Sequence, residues 1–256
     1  MTPFELAAPN SIAEALALLD GEGARPLSGG TALMLMMKAG VLRPQRLVSL
    51  RNLGLAAIEA NAGLRIGAMT TLTALELSPE VRKGWPVIAR TLRTLSNVRV
   101  RNVATVGGAL AHADPHMDLP PLFSTLGARV KIAGKGGERS LPVEDLYAGY
   151  LENTLKPGEL ITHVEIPPLG KGRAAYLKCT TRSADDWPAV GVAVVLGGED
   201  RIFVSAATDR PMRIANEAGL AALKIEGDLH GSAEYKRQLL KVYLRRAIDE
   251  ARRAIH

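Results

Sequence analysis

Two stretches of this chain carry its most specific chemistry: Leu27 to Leu33, LSGGTAL, and Thr105 to Asp118, TVGGALAHADPHMD. Each sets a Gly-Gly pair beside a threonine, between an apolar strand-like run and a segment able to start a helix. Paired glycines let the backbone bend where a Cβ would clash, and they bring bare N–H groups up to a ligand. At a helix N-terminus such a turn favours an anion, above all phosphate oxygens. Two of these turns, far apart in sequence, predict one pyrophosphate held from two sides.

The second stretch also offers His112-x-Asp114-x-His116. Alternating imidazole and carboxylate on one side of a strand would suit zinc or iron. Pro115 interrupts such a strand and no third histidine lies close, so a metal reading ranks below the phosphate one. Hydrolase chemistry has less support: Cys179 has no sequence-local partner and no G-x-S-x-G elbow is present. Neither Gly134-Lys135 nor Gly170-Lys171 has the spacing of a nucleoside triphosphate loop.

The composition sets outer bounds. The 256 residues suffice for one large domain or two smaller ones. A content of 47% hydrophobic and 23% charged residues is that of an ordinary globular protein. No apolar run reaches the roughly 20 residues of a membrane span, and MTPFELAAPNS lacks the character of a signal peptide, which predicts a cytoplasmic protein. The single cysteine excludes an internal disulfide and any all-cysteine cluster in this chain. The net charge of +6 is spread along the sequence, and aromatic residues make up 4%, too few for the stacking platforms of nucleic-acid binding.

Elements to position the two stretches can be read in order. Ser11 and Glu14 form an S-x-x-E capping box for a helix to Asp20. A strand at Arg25–Leu27, the first glycine turn, a helix ending near Gly40 and a strand at Arg46–Leu50 make a strand, helix, strand unit. Met34, Met36 and Met37 fall at helical spacing and read as core filling. A strand follows at Leu64 and Ile66, then helices at Thr70–Leu77 and Trp85–Leu95, with Pro86 in the first turn. Arg99 and Arg101 fit either a solvated loop or a face toward phosphate or a partner. Asp118 is expected to cap a helix to Leu126; a hairpin over Arg129–Leu141 and a strand at Leu160–Ile166 come next. Pro167 to Gly172 marks the best domain boundary. Beyond it lie strands at Ala174–Thr180, Val190–Leu196 and Ile202–Ala207 and a helix at Ile214–Leu223. The terminal helix places Leu240, Leu244, Ala247, Ile248, Ala251 and Ile255 on one face.

The sequence resembles the FAD-binding subunit of molybdenum-containing hydroxylases, the family of the carbon monoxide dehydrogenase medium subunit and the flavin domain of xanthine dehydrogenase. LSGGTAL looks like the family's first pyrophosphate loop and RNVATVGGALAHADPHMDLP like its second. GYLENTLKPGELITHVEIP, KCTTRSADDWPAVGVAV and GSAEYKRQLLKVYLRRAIDEA extend the likeness over nearly the whole chain.

The resemblance implies an α+β fold. A two-lobed FAD-binding domain of the PCMH type would span residues 1–168, with lobes of about 1–55 and 56–168. A small three-stranded antiparallel sheet with helices would follow at residues 173–256. Leu27, Ser28, Gly29, Gly30, Thr31, Ala32 and Leu33 would wrap the FAD diphosphate together with the stretch from Thr105 through Gly107 and Gly108 to Ala109, through backbone N–H groups and threonine hydroxyls, and Val103 is a further cofactor-binding candidate. Asp118 would bind the polar chain of FAD, Ile161 and Lys178 would lie near the flavin as would Trp187, which follows Asp186, and Ala111, His112 and Asp186 are further cofactor-binding candidates. Trp187 fits an aromatic wall against the isoalloxazine, or a core position before Pro188. Ala32 stands where relatives often have a polar residue, and Ala109 where they have asparagine.

By the same resemblance the chain is an electron-transfer flavoprotein subunit in which the flavin, not a side chain, carries the chemistry. Its partners would be a large molybdopterin subunit holding the molybdenum cofactor and a small subunit holding [2Fe–2S] clusters, assembled as a dimer of heterotrimers. A stand-alone flavin oxidoreductase and an assembly subunit that has lost FAD are the alternatives.

Overall fold

A computed structural model describes residues 2–254. The N-terminal part comprises β1 (Glu5–Ala7), α1 (Ile12–Leu19), β2 (Ala24–Leu27), α2 (Leu33–Lys38) and β3 (Arg46–Ser49). Its strands form a parallel sheet in the order β1-β3-β2. Ser11 caps α1 by accepting from the Glu14 N–H, and Glu14 reaches back to the Asn10 N–H at 2.9 Å, so the capping box is displaced by one residue at its return arm. Ala15 and Leu19 of α1 pack on Val48 and Leu50, and Leu160 from a distant strand closes this small core.

The middle part contains β4 (Ile58–Ala60), β5 (Leu64–Gly67) and five helices: α3 (Leu72–Leu77), α4 (Pro79–Gly84), α5 (Pro86–Arg93), α6 (Val98–Arg101) and α7 (Val106–His112). It continues through α8 (Leu119–Thr125), β6 (Arg129–Gly134), β7 (Gly137–Pro142), the short pair β8 (Tyr147–Gly149) and β9 (Glu152–Asn153), and β10 (Leu160–Ile166). A five-stranded antiparallel sheet runs β4-β5-β10-β6-β7. One face is covered by helices whose apolar residues, among them Leu72, Ile88, Leu110 and Phe123, pack on Ile66, Val130 and Val164. Full burial of a side chain such as Phe123 stabilises by about 2 kcal/mol.

The C-terminal part holds β11 (Arg173–Thr180), β12 (Pro188–Leu196), β13 (Arg201–Ser205), β14 (Met212–Ile214) and α9 (Ala233–Arg253). Its antiparallel sheet has four strands, one more than the sequence suggests, because the three-residue β14 adds an edge to β13. The stretch expected as a helix over Ile214–Leu223 is a 3-10 segment at Glu217–Ala222. Leu240, Leu244, Ala247 and Ala251 of α9 lie buried against β11 and β12. Ile255, expected on the same face, lies outside the described residues. No helix among the described residues is long and apolar enough to cross a membrane.

Candidate functional site

The two glycine stretches meet. A Cβ on Gly29 would lie 2.1 Å from the Val103 carbonyl oxygen and 2.9 Å from the Ala104 Cα, so only glycine lets the first loop lie flat on the chain entering the second. Val103, half exposed, supplies that carbonyl. The Ser28 and Thr105 hydroxyls are 2.5 Å apart, and Ser28 Oγ donates to Met69 Sδ at 3.0 Å. Thr105 therefore donates to Ser28, which hands its own proton to the sulfur. Gly107 presses on Ala68, where a Cβ would sit 2.6 Å from the alanine's own.

The two loops differ in what they can offer a ligand. No protein acceptor takes the N–H groups of Ser28, Gly29, Gly30, Thr31 or Ala32 among the described residues, and the Thr31 hydroxyl is likewise without a partner. In the second stretch Val106 N–H donates to Thr70 O, Gly107 N–H to Ala68 O, Gly108 N–H to Thr105 Oγ1 and Ala109 N–H to Thr105 O. The expectation that both glycine pairs present bare N–H groups is therefore corrected. Gly107 and Gly108 lie inside the first turn of α7, which Thr105 caps, so their donors are spent within the fold. The second stretch shapes the corner while the first supplies the donors. An N–H group without an acceptor costs on the order of 1–3 kcal/mol only when fully buried; residues 28–32 are partly exposed, so these donors are open to water and to an anion that could take several at once.

Ala32 precedes α2 at the rim of this corner, with Leu27 closing β2 and Leu33 opening the helix. Ala109 is on the buried face of α7. Ala111 and His112 occupy the last turn of that helix, and the Ala111 carbonyl accepts from Asn153 Nδ2 at 2.7 Å. Ile161 is buried on β10 beside Thr162, whose carbonyl accepts from the Ala68 N–H.

A second group gathers where α8 meets the C-terminal sheet. Asp118 does not cap α8, contrary to the sequence expectation; its backbone is helical and its carboxylate turns inward. Tyr176 Oη donates to one oxygen at 2.6 Å and Lys178 Nζ to the other at 3.0 Å. Burial pushes the Asp118 carboxyl above its usual range, against the opposing pull of Lys178 and Tyr176. Burial also raises the Tyr176 phenol well above its ordinary value, with Asp118 adding to the effect. Lys178 Nζ reaches the Thr94 and Asp186 carbonyls as well, which ties it to the start of the Asp186-Trp187 turn. Tyr176 and Lys178 share one face of β11 by the two-residue repeat of a strand, a signal available in the sequence once Lys178 is singled out. A cleft of about 280 Å³ beside them is lined by Arg90, Thr94, Tyr176, Lys178 and Glu250.

Trp187 is 44% exposed, a side chain at the surface rather than in the core. Its ring meets His116 edge-on at 5.7 Å. Among the described residues no three His, Cys, Asp or Glu side chains gather into a metal-holding group. His116 instead lies between Asp114 and Asp228. Arg101 pairs with Glu76 at 3.1 Å and donates to the Leu95 and Ser96 carbonyls, so it is a structural residue, whereas Arg99 is exposed. The corner group and the Asp118 group share no hydrogen bond or ion pair; α7, about 10 Å long, and the loop 113–117 connect them.

Residues 2–169 match the family described as the FAD binding domain in molybdopterin dehydrogenase. The carbon monoxide dehydrogenase medium chain of Afipia carboxidovorans is 35% identical, over 97% of this chain and 96% of its own. The nicotine 6-hydroxylase medium subunit of Paenarthrobacter nicotinovorans is 32% identical over 96% of each. Among solved structures, reconstituted CO dehydrogenase from Oligotropha carboxidovorans superposes with a TM-score of 0.91 at 33% identity, covering 99% of both chains. Quinoline 2-oxidoreductase from Pseudomonas putida 86 gives a TM-score of 0.90 at 30% identity over 100% of this chain and 99% of that one.

Proposed function

Because this chain belongs to the family of FAD-binding medium subunits of molybdenum hydroxylases, we propose that it carries FAD between a partner's [2Fe–2S] clusters and an external electron acceptor. The observation that carries the cofactor placement is the corner where Gly29 lies against Val103 while the amides of residues 28–32 keep their donors unspent. A row of unspent amides preceding a helix suits a diphosphate, and a side chain at Gly29 would part the two loops.

In this reading the amides of Ser28, Gly29, Gly30, Thr31 and Ala32, with the Thr31 hydroxyl, hold the diphosphate. Leu27 and Leu33 anchor that loop at its ends. Val103, Thr105, Gly107, Gly108 and Ala109 fix its opposite wall, and Ala111, His112 and Ile161 extend it. Asp118 and Lys178, neutralising each other in the interior, orient the polar region beside Asp186. Trp187 offers a flat apolar face that excludes water from a ring laid on it. Bound FAD supplies one- and two-electron redox chemistry, and no side chain of this chain need act as nucleophile or general base.

The reading divides the chain into a FAD-binding domain at residues 1–168 and a C-terminal domain at 173–256. It places a large molybdenum-cofactor subunit and a small iron–sulfur subunit beside it, as a dimer of heterotrimers in the cytoplasm. The relatives that support it are named as medium chains and medium subunits. Purification under mild conditions with metal analysis tests the assembly: molybdenum and iron should accompany this chain, and the protein should show flavin absorbance. A colourless chain that takes up no added FAD would falsify the cofactor assignment.

A further inference from the structure

The loop 113–117 joins the two halves of the candidate site, and His116 is its most constrained side chain. Nδ1 lies 3.0 Å from Asp114 Oδ1, and Nε2 lies 2.9 Å from Asp228 Oδ2. Neither carboxylate is free to turn away. Asp114 Oδ1 also accepts the His116 backbone N–H at 2.9 Å. Asp228 accepts from the His230 N–H at 2.8 Å and from Lys236 Nζ at 2.6 Å. Lys236 on α9 is buried, with its ammonium also on the Ala206 carbonyl. A neutral imidazole carries one N–H and one lone pair. Held between two fixed carboxylates, its bare nitrogen would face a negative oxygen, whereas an imidazolium donates to both.

The other neighbours of the ring are aromatic. Trp187 meets it edge-on with centroids 5.7 Å apart, and His230 lies tilted at 5.4 Å. The Trp187 indole, 44% exposed, thus rests on a ring that is gripped at both ends.

We infer that His116 is a positioning residue for Trp187: as a doubly donating cation it clamps the loop 113–117 to the turn 228–231 and so fixes the indole. The connection to a flavin rests on the function proposed above; the clamp does not. Burial opposes the charge, but the hydrogen bonds and charges of Asp114 and Asp228 outweigh it and leave the ring's proton affinity raised above the ordinary value of 6.5. A raised value in the fold means that the clamp is fully made below the ordinary histidine range and is lost as pH climbs through the raised midpoint. The charged or titratable groups facing the ring are Asp114 on its own loop and Asp228 and His230 on the turn, with Lys236 behind Asp228.

The test is a pH titration of the full chain by NMR, with labelled histidine rings and tryptophan indoles. His116→Gln and Trp187→Phe identify the two signals, and Trp85 serves as the internal control. The expected result is a His116 midpoint above 6.5, with the Trp187 indole resonance moving at the same midpoint and becoming flat in His116→Gln. Asp114→Asn should draw the midpoint back toward 6.5. A His116 midpoint at or below 6.5, or a Trp187 signal unmoved through it, overturns the proposal. A shared midpoint in a chain that takes up no FAD supports the clamp and sinks the flavin reading; FAD uptake with a flat Trp187 signal does the reverse.

Discussion

Gly29→Ala should damage the corner more than any neighbouring change. The new Cβ would meet the Val103 carbonyl oxygen at 2.1 Å, and backbone, unlike the end of a side chain, yields only by moving the whole loop. Overpacking of this kind costs about 1–3 kcal/mol, which urea unfolding would register, and FAD titration should show affinity falling by about tenfold or more. Lys178→Met should destabilise, because Asp118 loses its charge partner in the interior and must either stay charged unpaired or take up a proton, its carboxyl being already raised by burial. Adding Asp118→Asn should return part of the loss, and its failure to do so would count against a true ion pair. Asp228 responds to acid. Burial raises its carboxyl, but Lys236 and His116 lower it further, to about 2. Its contribution is therefore whole above the ordinary 3.8 and disappears as pH falls toward about 2. The acid limb of thermal stability should flatten over that window in Asp228→Asn.

At the scale of elements, Thr105 serves two roles, capping α7 and donating to Ser28. Thr105→Val keeps the volume and removes both, so α7 should lose about 1 kcal/mol by chemical denaturation and FAD affinity should fall with it. What the sequence conveyed here divides along the range of each interaction. The capping box of α1, Pro86 at the start of α5 and the hairpin of β6 and β7 follow from residues within a few positions of one another. Asp118 before Leu119 and two prolines has the local signature of a cap, yet its partners lie 58 and 60 positions away, on a strand no local pattern connects to it. The second Gly-Gly pair reads as a turn for the same reason. The Thr105 hydroxyl that takes the Gly108 N–H stands only three positions away, but the Ala68 carbonyl that takes the Gly107 N–H is brought in by folding. Strands β1, β4 and β14, three residues each, are too short for an alternation to declare itself.

Across the whole molecule, each of the three larger sheets carries its own apolar cluster, and polar contacts connect them: Ser28 with Thr105, Lys178 with Asp118, His116 with Asp228. A ligand seated across these seams should stabilise the chain as a unit. FAD at about 100 times its dissociation constant would add about 2.7 kcal/mol and raise Tm by about 5–10 °C. Absence of any shift in a calorimetric scan would mean that FAD does not engage the native chain.

The unequal state of the two glycine loops has a further consequence. Amides 28–32 have no protein acceptor, while those of 106–109 are already engaged, so in the proposed reading the cofactor would order the first loop and leave the second as it is. In heavy water the empty chain should exchange its first-loop amides quickly and hold the other set back. Only the arrival of the dinucleotide should slow the first clock to the pace of the second.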